Sequence, residues 1–179
     1  MSPINWGKHV IEYKEAADIL FQHVAGKRMY NFLVYPILFL YRHYIELQIK
    51  EIIINARLYL GIKERFPRGH DIGNLWGICK EAVQTIDSVE PGLTEEQIVE
   101  SKHIYDGLEK DINVLAKLDP SSATRYPVDV DGNPIEISWG DFNFKELPKL
   151  IERIDYNLGG LAAGVYEYLK SKEEWLSYR

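Results

Sequence analysis

The chain has 179 residues, 46% of them hydrophobic and 12% aromatic, which fits one domain of ordinary size with a sizeable core. Its formal net charge of -6 argues against broad, nonspecific affinity for nucleic acid, which rests on phosphate neutralisation by Lys and Arg, but leaves room for a local basic pocket. Its single cysteine, Cys79, excludes a disulfide within the chain and points to a reducing, cytoplasmic setting.

The first residues, MSPINWGKHVIEYKEAADIL, carry no charged leader followed by an apolar run, so no signal peptide is expected. Val10, Ile11, Ala17, Leu20 and Val24 recur at helical spacing and predict a helix over about Lys8 to Gly26. Asn31 or the Tyr35-Pro36 pair opens a second helix that runs to about Leu60, with Pro36 either in its first turn or at a kink. Its apolar stretch from Phe32 to Tyr41 is too short for a membrane span, which needs roughly twenty residues, so no membrane partner is expected. This helix is apolar nearly all round, which places it in the middle of a bundle or against a partner subunit.

A basic loop, KERFPRG, follows over Lys63 to Gly69. Asp71 is the expected N-cap of a third helix, through about Val89. Pro91-Gly92 breaks the chain, and Thr94 with Gln97 forms a capping box for a fourth helix to about Leu118. That helix turns Ile98, Ile104, Tyr105, Leu108, Ile112 and Leu115 to one side. Val128-Asp129-Val130 and Ile135-Glu136-Ile137 alternate around Asp131-Gly132-Asn133-Pro134, which predicts a small β-hairpin near residues 127–138. Asn143 or Leu147-Pro148 starts a last helix to about Lys172, where Gly159, Gly160 and Gly164 point to a close helix approach. No repeat or second domain is evident. The expected fold is all-α: a bundle of four to five long helices with a hairpin insertion.

The polar residues inside the most apolar helix need a reason. Arg42 and Glu46 are four apart and share a face, and His43 is three before Glu46. Ionisable groups in a core cost several kcal/mol each unless paired. Partners are expected from His70 and Asp71 at the start of the third helix, or from Arg125 and Tyr126 in the Ser-Ala-Thr-Arg-Tyr-Pro stretch. The cluster is either a buried salt-bridge network that sets helix register or a small polar pocket. In the pocket, Arg42, Glu46, Arg125 and Tyr126 would bind an anion, and His43 or His70 would move a proton. Lys63, Arg65 and Arg68, interleaved with Phe66 and His70, are either a solvated loop or a contact for RNA.

Other chemistry has less to stand on. Glu100-Ser101-Lys102-His103 is one Glu-x-x-His unit where di-iron bundles use two, so no metal or other cofactor is expected. Cys79 sits in Leu75-Trp76-Gly77-Ile78-Cys79, a core-like stretch. No Gly-x-Ser-x-Gly, Walker loop or dinucleotide fingerprint occurs.

Tyr41-Arg42-His43-x-x-Glu46-Leu47 on a long apolar helix, followed by a loop and His70-Asp71-Ile72-x-x-Leu75-Trp76, resembles HEPN-superfamily helical proteins. Asp119-Pro120-x-Ser122 and Arg125-Tyr126-Pro127 are similar to pieces of a related bacterial and phage group, so the resemblance spans about Pro36 to Pro127. It implies a compact, often dimeric bundle from a toxin–antitoxin or phage-defence setting, handling a nucleotide, RNA or a protein partner. The family's ribonuclease motif is an arginine followed a few residues later by a histidine on one helix. Here the only Arg-x4-His spacing is Arg65 to His70, with Phe66 and Pro67 between them in an expected loop. The expectation is therefore a homodimeric binding module. A metal-independent ribonuclease using Arg42, His43 and His70 is the alternative, and a metal-binding bundle enzyme the second.

Overall fold

The computed structural model describes residues 6–25, 30–90, 92–118, 128, 131–134 and 143–177. These residues form five long helices: α1 (Trp6–Val24), α2 (Tyr30–Tyr59), α3 (Ile72–Val89), α4 (Glu95–Leu118) and α5 (Leu147–Ser177). A 3-10 turn, Phe144–Glu146, leads into α5, with Asn143 as its cap. The all-α bundle read from the sequence is the fold. Helix α2 starts at Tyr30, nearly two turns ahead of Pro36, which lies inside it.

Helix α2 is apolar all round because it is the central helix, packed against α1, α3 and α5. Ile37, Leu38, Ile45, Ile49, Ile52 and Ile53 are all fully buried around it. Helices α3 and α4 lie antiparallel, with Lys80 reaching Asp106 and Glu109, and Asp87 reaching Tyr105. Their buried stripes, Leu75, Trp76, Cys79, Val83 and Ile86 on α3 and Tyr105, Leu108, Ile112 and Leu115 on α4, recur at three and four residues. Both predicted caps form. The Asn74 amide donates to Asp71 Oδ1 at 2.7 Å. The Thr94 amide donates to Gln97 Oε1 at 2.9 Å and the Gln97 amide to Thr94 Oγ1 at 3.2 Å, so each satisfies an otherwise free donor.

The chain between α2 and α3 positions the candidate site. Helix α2 ends on Gly61, whose φ of 74° is a left-handed conformation that a Cβ disfavours. The Gly61 amide donates to the Leu58 carbonyl and the Ile62 amide to the Arg57 carbonyl, closing a Schellman motif. The loop then runs back along α2. Arg57 donates to the Glu64 carbonyl, Lys50 lies over the Phe66 ring, and Arg42 donates to the His70 carbonyl. As the loop advances from 64 to 70, its contacts retreat from 57 to 42. Pro67 is buried and holds its middle down.

Three expectations change. Of the hairpin expected over 127–138, the described residues show one isolated antiparallel bridge, Val128 to Pro134, around a turn at Gly132 with φ of 84°; they form no strand, and the rest of the stretch lies outside them. Gly159, Gly160 and Gly164 do not mark a close helix approach, since a Cβ on any of them would meet nothing within 4 Å. Ile11 is exposed because it lies about a third of a turn from its helix's buried stripe, and Ile104 is exposed although it falls within the stripe of α4, because it faces an open cavity between α3, α4 and α5.

Candidate functional site

The polar residues of α2 form two stripes. Arg42, Glu46 and Lys50 recur every four residues on the stripe facing the returning loop. All three are buried, with Arg42 6%, Glu46 2% and Lys50 5% exposed. Glu46 is the hub. Its Oε1 accepts from Lys50 Nζ at 2.8 Å and lies 2.8 Å from His70 Nδ1, while Oε2 is 3.6 Å from Arg42 Nη1. Burial alone would push the Glu46 carboxyl up. Hydrogen bonds from Lys50 and His70, with the charge of Lys50, outweigh it and hold the group below its ordinary value. An ionised carboxylate only accepts, so His70 Nδ1 carries the proton and donates. Arg42 Nη2 in turn donates to the His70 carbonyl at 2.6 Å.

The structure thus brings together three predicted residues, Arg42, Glu46 and His70. His43 is separated from them. It sits on the α1 side of α2, stacked on Phe39 at 5.8 Å with the edge of Tyr13 at 4.5 Å. Arg125 and Tyr126 lie outside the described residues. Arg42 is turned inward and engaged by Glu46 and the loop backbone, whereas the His70 side chain is 63% exposed. Lys63, Arg65 and Arg68 of the same loop are all exposed, with Phe66 among them. Arg68 lies 3.7 Å from Glu64, a solvated pair of small energetic weight. The outcome is an exposed imidazole, fixed at Nδ1 from beneath by a buried carboxylate, on a loop with three surface cations.

Two features escaped the sequence. Lys50 completes the stripe one helical step beyond Glu46, and extending the four-residue spacing would have found it. The second stripe, Tyr41 and Tyr44, needs three helices to exist. The Tyr41 hydroxyl donates to Asp18 of α1 at 2.7 Å, and the Tyr44 hydroxyl to Asp155 of α5. Lys14 donates to Asp18 at 2.9 Å and stands 3.9 Å from Asp155. Burial, reinforced by the neighbouring carboxylates, pushes both tyrosine hydroxyls well above their ordinary value, so they stay protonated donors. This network ties α1, α2 and α5 together.

Among the described residues, no group of three or more His, Cys, Asp or Glu side chains is placed to hold a metal ion. Glu100 and His103 are exposed on α4. Cys79 is buried, and burial pushes its thiol well up, away from the reactive thiolate. No helix among the described residues is long and apolar enough to cross a membrane. Set against family models, curated proteins and solved structures, the chain matches none. Fold and site together define an all-α bundle with a surface loop stapled down by buried charges.

Proposed function

We propose that this chain is a HEPN-like helical bundle that works as a homodimer and binds RNA, or a nucleotide phosphate, on the loop between α2 and α3. The observation that carries it is the exposed His70 imidazole, held at Nδ1 by buried Glu46, on the same loop as exposed Lys63, Arg65 and Arg68. Three cations and an exposed ring, Phe66, on one short segment suit single-stranded RNA, whose phosphates meet the cations while a base stacks on the ring. Arg42 then holds the loop from inside rather than touching the ligand. Because α2 is enclosed by its neighbours, the dimer contact in this proposal lies elsewhere on the surface. A cytoplasmic setting in bacterial or phage defence belongs to the same proposal, supported by the one buried cysteine and the HEPN-like pattern.

The test is fluorescence anisotropy with a labelled single-stranded RNA across a salt series, beside sedimentation of the free protein. Three neutralised phosphates predict a slope of log K against log salt of about -2. Arg65→Glu with Arg68→Glu should abolish binding without lowering the melting temperature. Binding unchanged in that variant would sink the proposal.

A second possibility is favoured by one specific observation. With Nδ1 bonded to Glu46, the other ring nitrogen of His70 is left for proton transfer, the arrangement of an oriented general acid or base. Chelator-resistant RNA cleavage that is lost in folded His70→Gln would support this ribonuclease. Cleavage equal in wild type and variant would exclude His70 from the chemistry.

A further inference from the structure

The bundle is not closed everywhere. Between α3, α4 and the stretch of α5 from Asp155 to Tyr168 lies an open cavity of about 650 Å³. That volume lies in the range of small-molecule sites. Gly159, Gly160 and Gly164 lie along it, and a Cβ on any of them would meet nothing within 4 Å, so these glycines do not serve packing within the chain. Glycine in a helix interior costs about 1 kcal/mol relative to alanine, and here two of the three stand adjacent.

The lining is largely apolar, with Ile86 and Ile104 in it, and carries three tyrosines: Tyr105, Tyr168 and, at the exposed rim, Tyr156. Its polar lining comprises Asp87, Ser101, Tyr105, Asp155 and Asn157: the Tyr105 hydroxyl donates to Asp87 Oδ2 at 2.7 Å, Asp155 accepts from Tyr44, and Asn157 donates to the Arg153 carbonyl. Asp87 is partly withdrawn from water, and its one hydrogen-bond donor among the described residues is a neutral hydroxyl. Burial raises its carboxyl above the ordinary value, although the Tyr105 hydrogen bond pulls the other way. Among the described residues no cation forms an ion pair with Asp87, and no Lys, Arg or His lines the cavity. A carboxylate in a partly apolar site is costly without a positive partner. Tyrosine faces are negative as well and attract cations.

We propose that this groove is a binding site for an organic cation: an amine on an apolar or aromatic body, its ammonium against Asp87 and its body along the glycine-bearing stretch of α5. An anion would be repelled by the carboxylate and the ring faces. An apolar partner helix, or a second copy laid over the groove, would cover Asp87 and leave it unpaired.

The test titrates the whole chain with three probes of one shape: 2-phenylethylamine, 2-phenylethanol and 3-phenylpropionate. Binding is read by calorimetry and by shifts of the Tyr105 and Tyr168 ring resonances. The amine should bind at up to millimolar concentration and shift those rings, with the alcohol about tenfold weaker or worse and the acid silent. Asp87→Asn should remove the preference for the amine. Gly160→Leu, whose side chain enters empty space, should block the amine while the helical circular dichroism is kept; it also keeps the test alive if Asp87→Asn does not fold. Alcohol binding equal to the amine, no amine binding, or undiminished binding in Gly160→Leu would each overturn the proposal. A dimer that Gly160→Leu splits would overturn it as well, and assign the groove to a second copy of the chain.

Discussion

Replacing Glu46 by Gln is the sharpest test of what holds the site. The substitution keeps the volume and removes the charge. Lys50 then remains as a buried cation without the counter-charge that Glu46 supplies, and Arg42 loses its Glu46 contact. Breaking a buried pair by removing one partner costs roughly 3–5 kcal/mol, because the remaining charge is still desolvated. The His70 contact adds little, since that ring is largely exposed and screened by solvent. For a domain of this size, each kcal/mol moves the melting temperature by about 2–4 °C, so Glu46→Gln should melt roughly 6–20 °C below wild type. Lys50→Met should cost less on top of Glu46→Gln than alone, with a coupling of about 1–3 kcal/mol in a double-mutant cycle.

The same group predicts a pH dependence. The Glu46 carboxyl lies below its ordinary value of 4.5 in the folded protein. As pH falls, the unfolded chain takes up this proton first. The stability Glu46 contributes is therefore fully present above about 4.5 and is lost as pH falls toward the lower folded value. Urea unfolding followed by circular dichroism at several pH values should show a shallower acid loss in Glu46→Gln than in wild type. A Glu46→Gln protein within about 1 kcal/mol of wild type at neutral pH, with an unchanged acid limb, would refute the account of a charge-stapled loop.

Further outcomes follow from other parts of the molecule. Arg42→Ala should loosen the loop, because Arg42 carries both the His70 carbonyl and Glu46; native-state hydrogen exchange should rise over residues 63–71 before the rest of the bundle opens. Thr94→Ala removes half of the capping box and should cost about 1 kcal/mol in urea unfolding, with no change in the slope. Cys79 should resist thiol reagents in the native protein and react fully in denaturant, and rapid native labelling would contradict its burial. Gly160→Ala should stabilise by up to about 1 kcal/mol, since the added methyl meets nothing, whereas Gly61→Ala should destabilise because its backbone is left-handed.

What could be read in advance follows from how far each interaction reaches along the chain. Helix ends were legible because a cap joins residues three apart: Asp71 with Asn74, Thr94 with Gln97. The buried stripes were legible for the same reason; of their errors, Ile11 lies beside a stripe, where hydrophobicity does not decide the facing, and Ile104 lies within one but faces a cavity that only the neighbouring helices create. The glycines of α5 misled because a small residue has two opposite meanings, contact or vacancy, and only the neighbouring helices decide between them.

Arg42, Glu46 and His70 lie between these extremes. That Arg42 and Glu46 share a face of α2 is a four-residue matter, and the cost of burying charge made a partner obligatory. What the spacing could not supply is which partner, and what remains outside. That depends on the loop after Gly61 turning back along α2, so that Glu64, Phe66 and His70 meet Arg57, Lys50 and Glu46 in reverse order. Once it does, charges that resembled a pocket become the fastening of a surface loop. Any chemistry then passes to the side chains that the fastening leaves outside: His70, Lys63, Arg65 and Arg68. Buried charge on α2 and exposed charge on the loop are thus two ends of one device, and the Glu46→Gln melt and the Arg65→Glu/Arg68→Glu binding assay separate them. A loss of RNA binding in Glu46→Gln with the loop cations intact would show that the fastening sets the geometry of the binding surface as well as its stability.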